Sequence, residues 1–383
     1  MVRKKKTGRR GRGEGALYQR KDRRWSGSIE IEGQGKRKRK YFYGETKQEV
    51  QDKVNTALYE QKQGKLATGP QQTVEQYLED WLENVHKHKI RDSSYAVYRQ
   101  LLNNHVLPAF GHVKLQKLTT RHIDTLYVSK LKEGYASETI RAIHRMLHAA
   151  FDDAVRWKRI SSNVCDDVKP PRPEQHETQT LTKEQSKQLL EADKEHRLRA
   201  LLTLALATGM RRGELLGLEW RDIDFEERSL YIQRTINRIG KKGIVVSEPK
   251  TVKSKSKIML PQFAIDALQS HREQQEEKRK EAGKAWYEND LVFPNSIGKF
   301  LEPGRLHIWF KKLLKEAGLP DMRFHDLRHS AATILLGMGV HPKLVQELLR
   351  HSNISMTMDR YSHVLPSMQR KMMDDFDDFF GEL

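Results

Sequence analysis

The segment RFHDLRHSAATILL, residues 323–336, sets His325, Arg328 and His329 at i, i+3 and i+4, on one face of an expected helix. The apolar run behind them, Ala331 to Leu336, reads as core. A second cluster lies upstream in ATGMRRGELLGLEW. There Gly209 closes one expected helix, Arg211 enters the next, and Glu214, three residues on, can hold the Arg211 guanidinium. SEPKTVKSKSKIMLP puts Lys250, Lys253, Lys255 and Lys257 on an expected hairpin, as phosphate contacts and proton donors. LLRHSNISMTMDRYSHV contributes His351 and, ten positions later, Tyr361. Guanidiniums, imidazoles, ammoniums and a phenol are the groups that grip a phosphate and move protons around it.

Each of these has a plain explanation when taken singly. An arginine at a helix start is usually a surface residue, a lysine hairpin is usually solvated, and a tyrosine usually packs. His325 and His329 also have the spacing of helical zinc ligands. However, Asp326 stands where a zinc-protease motif has Glu, and Arg328 would set a cation beside the metal. No metal is expected. The order Arg, Lys, His-x-x-Arg, His, Tyr is harder to dismiss. In Arg211, Lys250, His325, Arg328, His351 and Tyr361 the chain resembles the tyrosine recombinases, the phage integrase family, in order and approximate spacing. Lys253 stays open as the alternative lysine. One departure is Arg350, which precedes His351 where the family commonly has glycine; it bears on the local turn.

The resemblance implies a division of labour. Arg211 and Arg328 would clamp the non-bridging oxygens of a phosphodiester and stabilise the charge that builds on them. Tyr361 would be the nucleophile, leaving a 3′-phosphotyrosine. A phenol titrating near ~10 needs cations and a base beside it, and His325 is the expected proton acceptor. Lys250 would protonate the departing 5′ oxygen, His351 would hydrogen-bond a phosphate oxygen, and Glu214 would orient. His329 and His363 read as structural neighbours. No cofactor is implied.

The activity implied is that of a site-specific DNA recombinase, an integrase that inserts and excises a mobile element such as a temperate phage. Its implied partners are double-stranded attachment sites of core and arm type and a homotetramer on DNA. An excisionase and a host DNA-bending protein are candidate accessory factors. The alternative is a non-catalytic DNA-binding regulator sharing the fold, against which Tyr361 argues, because a binder needs no nucleophile.

Composition agrees with a polyanionic partner. The 383 residues carry a formal net charge of +19, and residues 1–70 alone hold 20 Lys/Arg against 8 Asp/Glu. Cys165 is the single cysteine, which rules out an internal disulfide and suits a reducing compartment. The N-terminal charges lead into no apolar segment of a signal peptide, and no apolar run approaches the ~20 residues of a membrane span. A bacterial cytoplasmic protein, nucleoid-associated when active, with no membrane partner, is expected.

The elements that must position these groups form a multidomain α+β chain. Residues 1–65 read as a basic tail followed by three short strands, in ALYQR, WSGSIEIE and KRKYFYG, and a helix opened by a Thr46–Glu49 capping box. By resemblance this is an arm-type DNA-binding domain, with Lys36, Arg37, Lys38, Arg39 and Lys40 on a hairpin as its DNA contacts. Residues 73–165 carry apolar residues at three-to-four spacing and read as an all-α, core-binding domain. Residues 175–383 are mixed and mainly helical, the expected catalytic domain, with a small antiparallel sheet at LYIQRTIN, GIVVSEP and SKIMLP. A C-terminal tail sets Met372, Phe376, Phe379 and Phe380 on one helical face, a stripe that can pack on its own domain or, as a C-terminal segment commonly does in the family, dock on a neighbouring protomer.

Overall fold

In the computed structural model, the described residues are 16–33, 36–62, 71–174, 179–193, 198–247, 257–351, 373–374 and 376–377. They belong to two units, residues 1–175 and 176–383.

The first block forms the expected sheet of three antiparallel strands, β1 (Ala16–Gln19), β2 (Trp25–Gly33) and β3 (Lys36–Gly44), in the order β1-β2-β3. Helix α1 (Lys47–Lys62) covers one face. Its first turn is capped as the sequence suggests: the Glu49 amide donates to Thr46 Oγ1 at 3.1 Å. The Glu49 carboxylate, however, accepts from the Glu45 amide at 3.0 Å, one residue earlier than an ideal capping box. The core of this block is small: Ile29, Val50, Val54 and Ala57, flanked by Leu17, Trp25, Phe42 and Leu58. Gly27 lets strand and helix approach, since a Cβ there would fall 2.6 Å from Val54 Cγ2 and 2.8 Å from Val50 Cγ1.

Lys36 to Lys40 lie on the β2–β3 hairpin, within β3, which starts two residues before the run KRKYFYG; Arg37 pairs with Glu32 and Arg39 with Glu30. Alternation along the strand sends Arg39, Tyr41 and Tyr43 outward, and they are exposed, as is Tyr18 on β1. Arg20 lies over the Tyr43 ring, 5.4 Å from its centroid. The outer face is therefore aromatic and basic.

The all-α block follows. Its helices are α2 (Val74–Asp80), which runs on as a wider π turn through His86, α3 (Asp92–Leu101), α4 (Leu107–Phe110), α5 (Thr120–Lys132) and α6 (Ser137–Arg156). Thr73 and Gln76 form a reciprocal capping box at the start of α2. The amphipathic face of α6 buries Ile140, Ile143, Met146, Leu147, Ala150 and Phe151. Two buried polar contacts fix α2 on it: Trp81 Nε1 donates to Asp153 Oδ2 at 2.9 Å, and the Tyr77 hydroxyl donates to the Ala150 carbonyl at 2.5 Å.

The second unit is built around α8 (Arg199–Thr208), which follows α7 (Lys183–Ala192). Leu201, Leu202, Leu204 and Ala205 are all buried, so α8 is apolar nearly all round and is covered on several sides. After the short α9 (Arg212–Leu216) come β4 (Ile223–Asp224), β5 (Ser229–Tyr231), β6 (Thr235–Ile239), β7 (Gly243–Ser247) and β8 (Lys257–Met259). The run LYIQRTIN, read as one strand, is divided. β5 pairs with β4 and β8, whereas β6 pairs with β7 in a separate ribbon. The break falls where the Arg234 guanidinium turns inward to Asp222 Oδ2 at 2.7 Å and Glu219 Oε2 at 2.9 Å. Helices α10 (Gln262–Ala282), α11 (Pro303–Glu316), α12 (Asp326–Gly337) and α13 (Pro342–Leu349) complete the unit. Among the described residues no helix is long and apolar enough to cross a membrane.

Gly27→Ala should force α1 off the sheet and destabilise the first block by roughly 1–3 kcal/mol, the usual cost of overpacking. Hydrogen exchange should then quicken at β2 and α1 amides and stay unchanged in α6. Equal protection in both variants would contradict the packing described.

Candidate active site

Gly209 ends α8 in the left-handed conformation, φ 59°, and Arg211 is the N-cap of α9. Both follow from the sequence: glycine reverses the chain where a Cβ would be strained, and the ATGMRRGEL segment re-enters a helix two residues later. Gly213 presses α9 onto β6, since a Cβ there would lie 2.6 Å from the Ile236 carbonyl oxygen. Glu214, one turn into α9, returns to its own N-cap. Its Oε2 accepts from the Arg211 amide at 2.9 Å and its Oε1 accepts from Arg211 Nη1 at 2.8 Å. Glu214 is buried, while the Arg211 side chain keeps 41% of its exposure and so can reach an incoming anion. Burial alone would raise the Glu214 pKa, but Arg350 and then Arg211 outweigh it, and the carboxyl stays below its ordinary value.

Helix α12 brings the second cluster. Asp326 is held by Arg323. Its carboxylate accepts from the Arg323 amide, Nε and Nη2 at 2.9, 3.1 and 2.8 Å, fixing the start of the helix. His325, at the N-cap, stays exposed, while Arg328 and His329 are buried. The rings of His325 and His329 stand perpendicular with centroids 5.4 Å apart. Protein atoms crowding the His325 ring come first, and the Arg328 charge second, in lowering its pKa; Asp326 opposes, and Arg211 and Arg323 add to the lowering. Arg211 and Arg328 thus act on the same imidazole.

Arg328 has a structural part beside the clamp that the resemblance implies. Its Nη1 donates to the Gly209 carbonyl at 2.6 Å, and its Nη2 donates to the Leu349 carbonyl. One buried guanidinium therefore joins the turn that carries Arg211 to the end of α13. Just past that end is His351, whose amide donates to the Gln346 carbonyl at 3.1 Å and whose carbonyl accepts from Gln346 Nε2 at 3.1 Å. Ser330 adds a further brace, accepting from the Leu181 amide at 2.9 Å and donating to the Asp326 carbonyl at 2.9 Å.

Of the sequence-derived set, Arg211, Glu214, His325, Arg328 and His351 are tied to this one region. Lys250, Lys253 and Tyr361 lie outside the described residues, as do Met372, Phe379 and Phe380 of the tail. Phe376 is exposed. Sequence reasoning missed Gln346, Ser330 and the part played by Arg350. The unusual residue before His351 was the one signal available for the last. Among the described residues, the group with metal-ligand spacing is elsewhere, at His148, Asp152 and Asp166 in the all-α block.

Comparison with known proteins gives a consistent result. Residues 179–368 match the model of the phage integrase family, and residues 73–132 match that of the phage integrase N-terminal SAM-like domain. A tyrosine recombinase XerC-like protein of Caldanaerobacter subterraneus subsp. tengcongensis is 34% identical over 366 residues, covering 90% of this chain and 93% of that protein. An integrase of Saccharopolyspora erythraea is 26% identical, covering 96% and 97%. Among solved structures, the Tn1549 transposon integrase in complex with a circular intermediate DNA is similar at a TM-score of 0.67 and 22% identity, over 79% of this chain and 99% of that one. A lambda integrase tetramer bound to a Holliday junction is similar at 0.58 and 20%, over 88% and 96%. At such identities the solved structures establish a shared fold.

Gly209→Ala tests how tightly the region is packed. The new Cβ would sit in a left-handed residue and run into Leu349 Cδ2. The substitution should cost about 2–4 kcal/mol, from the conformational penalty and overpacking together. A thermal melt should show a clear drop in Tm; an unchanged Tm would contradict the close approach of α8 and α13.

Proposed function

The chain belongs to the phage integrase family of tyrosine recombinases, and from that premise we propose a site-specific DNA integrase working through a 3′-phosphotyrosine intermediate. It is an enzyme of DNA strand exchange; the intermediate, the residue roles and the excision of an element are our reading. The observation that carries this reading is that the buried Arg328 guanidinium joins the turn before Arg211 to the helix end before His351, with Arg211 and His325, one turn before Arg328 on α12, left open to solvent.

The proposed chemistry follows from these groups. The Tyr361 oxygen attacks the scissile phosphorus, and the bond from phosphorus to the 5′ oxygen breaks. His325, held neutral at neutral pH by its lowered pKa, takes the phenolic proton. Lys250, or Lys253 in its place, gives a proton to the departing 5′ oxygen. Arg211, with the Arg328 guanidinium charge behind it, offsets the extra charge on the non-bridging oxygens, and His351 hydrogen-bonds one of them. The phosphotyrosine conserves the bond energy, so a 5′ hydroxyl of another strand reverses the step with neither nucleotide nor metal required.

The rest of the chain is assigned accordingly. The all-α block would bind the core site and residues 175–383 would cleave it. Strand β3, with Lys36, Arg37, Lys38, Arg39 and Lys40, would bind arm-type sites, Arg39 from the outer face of the sheet. Four protomers would assemble on paired sites, as the lambda integrase tetramer does on a Holliday junction. An excisionase or a host DNA-bending protein would set direction.

The test is a nicked core site incubated with the full chain and EDTA, then run on a denaturing gel. Wild type should form a covalent adduct and Tyr361→Phe should form none, with DNA affinity unchanged. Arg211→Ala should cleave at least ~100-fold more slowly, as for loss of one oxyanion donor. Because the lowered His325 pKa keeps its base form to lower pH, the acid limb of the rate should lie below about pH 6.5, the value of a free imidazole. An adduct in Tyr361→Phe, or one that requires magnesium, would overturn the reading.

A further inference from the structure

The turn after α13 breaks a backbone rule. Arg350 has φ 55° and ψ 42°, the left-handed region that residues with a Cβ rarely adopt, at a helix end where glycine is the usual choice. The side chain does not compensate by reaching water, since it is 2% exposed. A buried guanidinium on a strained residue calls for a specific partner. That partner is Glu214: Arg350 Nη2 donates to its Oε2 at 2.7 Å. The same oxygen accepts from the Arg211 amide, and the other oxygen accepts from Arg211 Nη1. Arg350 Nε and Nη1 are buried with no hydrogen-bond partner among the described residues.

Two cations therefore share one carboxylate. Arg211 and Glu214 alone would be a neutral pair, and a carboxylate at 2.8 Å offsets much of the charge that a guanidinium offers to a phosphate. With Arg350 on the opposite oxygen, the group carries a net charge of +1. Sited in protein rather than in water, Arg350 is weakly screened, so its charge is felt at Arg211.

We propose that Arg350 is a positioning residue of the phosphate site: it holds Glu214 against Arg211 and balances its charge, so that Arg211 meets the scissile phosphate as an uncompensated cation. This rests on the recombinase reading above and deepens it at the same site. It also gives the left-handed arginine a use that a glycine at that position would not have.

The experiment measures single-turnover cleavage by the full chain on two nicked core sites. One has an ordinary scissile phosphodiester, and the other a methylphosphonate, whose non-bridging positions carry no negative charge. Arg350→Gly suits the backbone and removes the cation; Arg350→Lys keeps the charge; Arg350→Gln repeats the neutral change without glycine. Both neutral variants should cleave the phosphodiester about tenfold more slowly or worse, yet stay within about threefold of wild type on the methylphosphonate. Arg350→Lys should recover most of the phosphodiester rate.

Equal slowing on both substrates would assign Arg350 a purely structural part and overturn the proposal. So would an unaffected phosphodiester rate, or a lysine variant as slow as the neutral ones. Absence of any adduct from the wild-type chain would contradict the recombinase reading and this assignment with it. Normal wild-type cleavage with the wrong pattern among the variants would contradict this assignment alone.

Discussion

Arg328 is a charged side chain with 2% exposure, and the arrangement around it depends on how that charge is satisfied. Burying a guanidinium is costly unless its donors are met, and here two of them meet backbone carbonyls, at Gly209 and Leu349. Those carbonyls end α8 and α13, where helices leave acceptors unused. A single residue of α12 thereby satisfies two helix ends and brings three segments to one place. Gly209 must be glycine for α13 to come this near, and Arg211 emerges two residues beyond the joint. The proposed phosphate site is thus a consequence of helix-end chemistry before it is a set of reactive groups.

Charge is distributed around that joint with economy. Glu214 is needed to orient Arg211, yet a lone carboxylate would weaken it; Arg350 supplies the counterweight from the other side. His325 remains at the surface, where substrate can reach it, and its crowded, cation-flanked ring favours the neutral form that accepts protons. Asp326 sits beside it but is spent on Arg323, so it anchors a helix rather than pairing with the histidine. In the proposed mechanism fixed cations stabilise charge on phosphate, and fixed cations need the scaffolding seen here.

Much of this was legible in the sequence. Gly209, Arg211 and Glu214 have a helix-stop, helix-start spacing whose geometry is local, and the HDLRH cluster announces its own helix. The first sheet could be read because its alternation has period two, and the all-α block because its apolar stripe has period near 3.6. What could not be read depends on distant partners. Nothing near Arg328 tells that its donors go to residues 119 positions before and 21 after it. The division of LYIQRTIN at Arg234 follows from carboxylates at Asp222 and Glu219 that the strand pattern does not contain. The strand read at KRKYFYG begins two residues earlier, because Lys36 and Arg37, placed at the turn by their charge and the glycines beside them, pair with Gly33 and Glu32 of β2. Arg350 stood out in sequence only as an odd residue in a turn, since its use depends on Glu214, 136 positions away.

The central claim is that the Arg328 guanidinium joins two backbone segments in the free protein, before DNA arrives. Arg328→Lys preserves the charge but cannot span two carbonyls with a rigid fork. Hydrogen exchange on the DNA-free variant should show residues 209–214 and 349–351 losing protection together, while α6 keeps its own. Wild-type protection at both segments in the lysine variant would contradict the account.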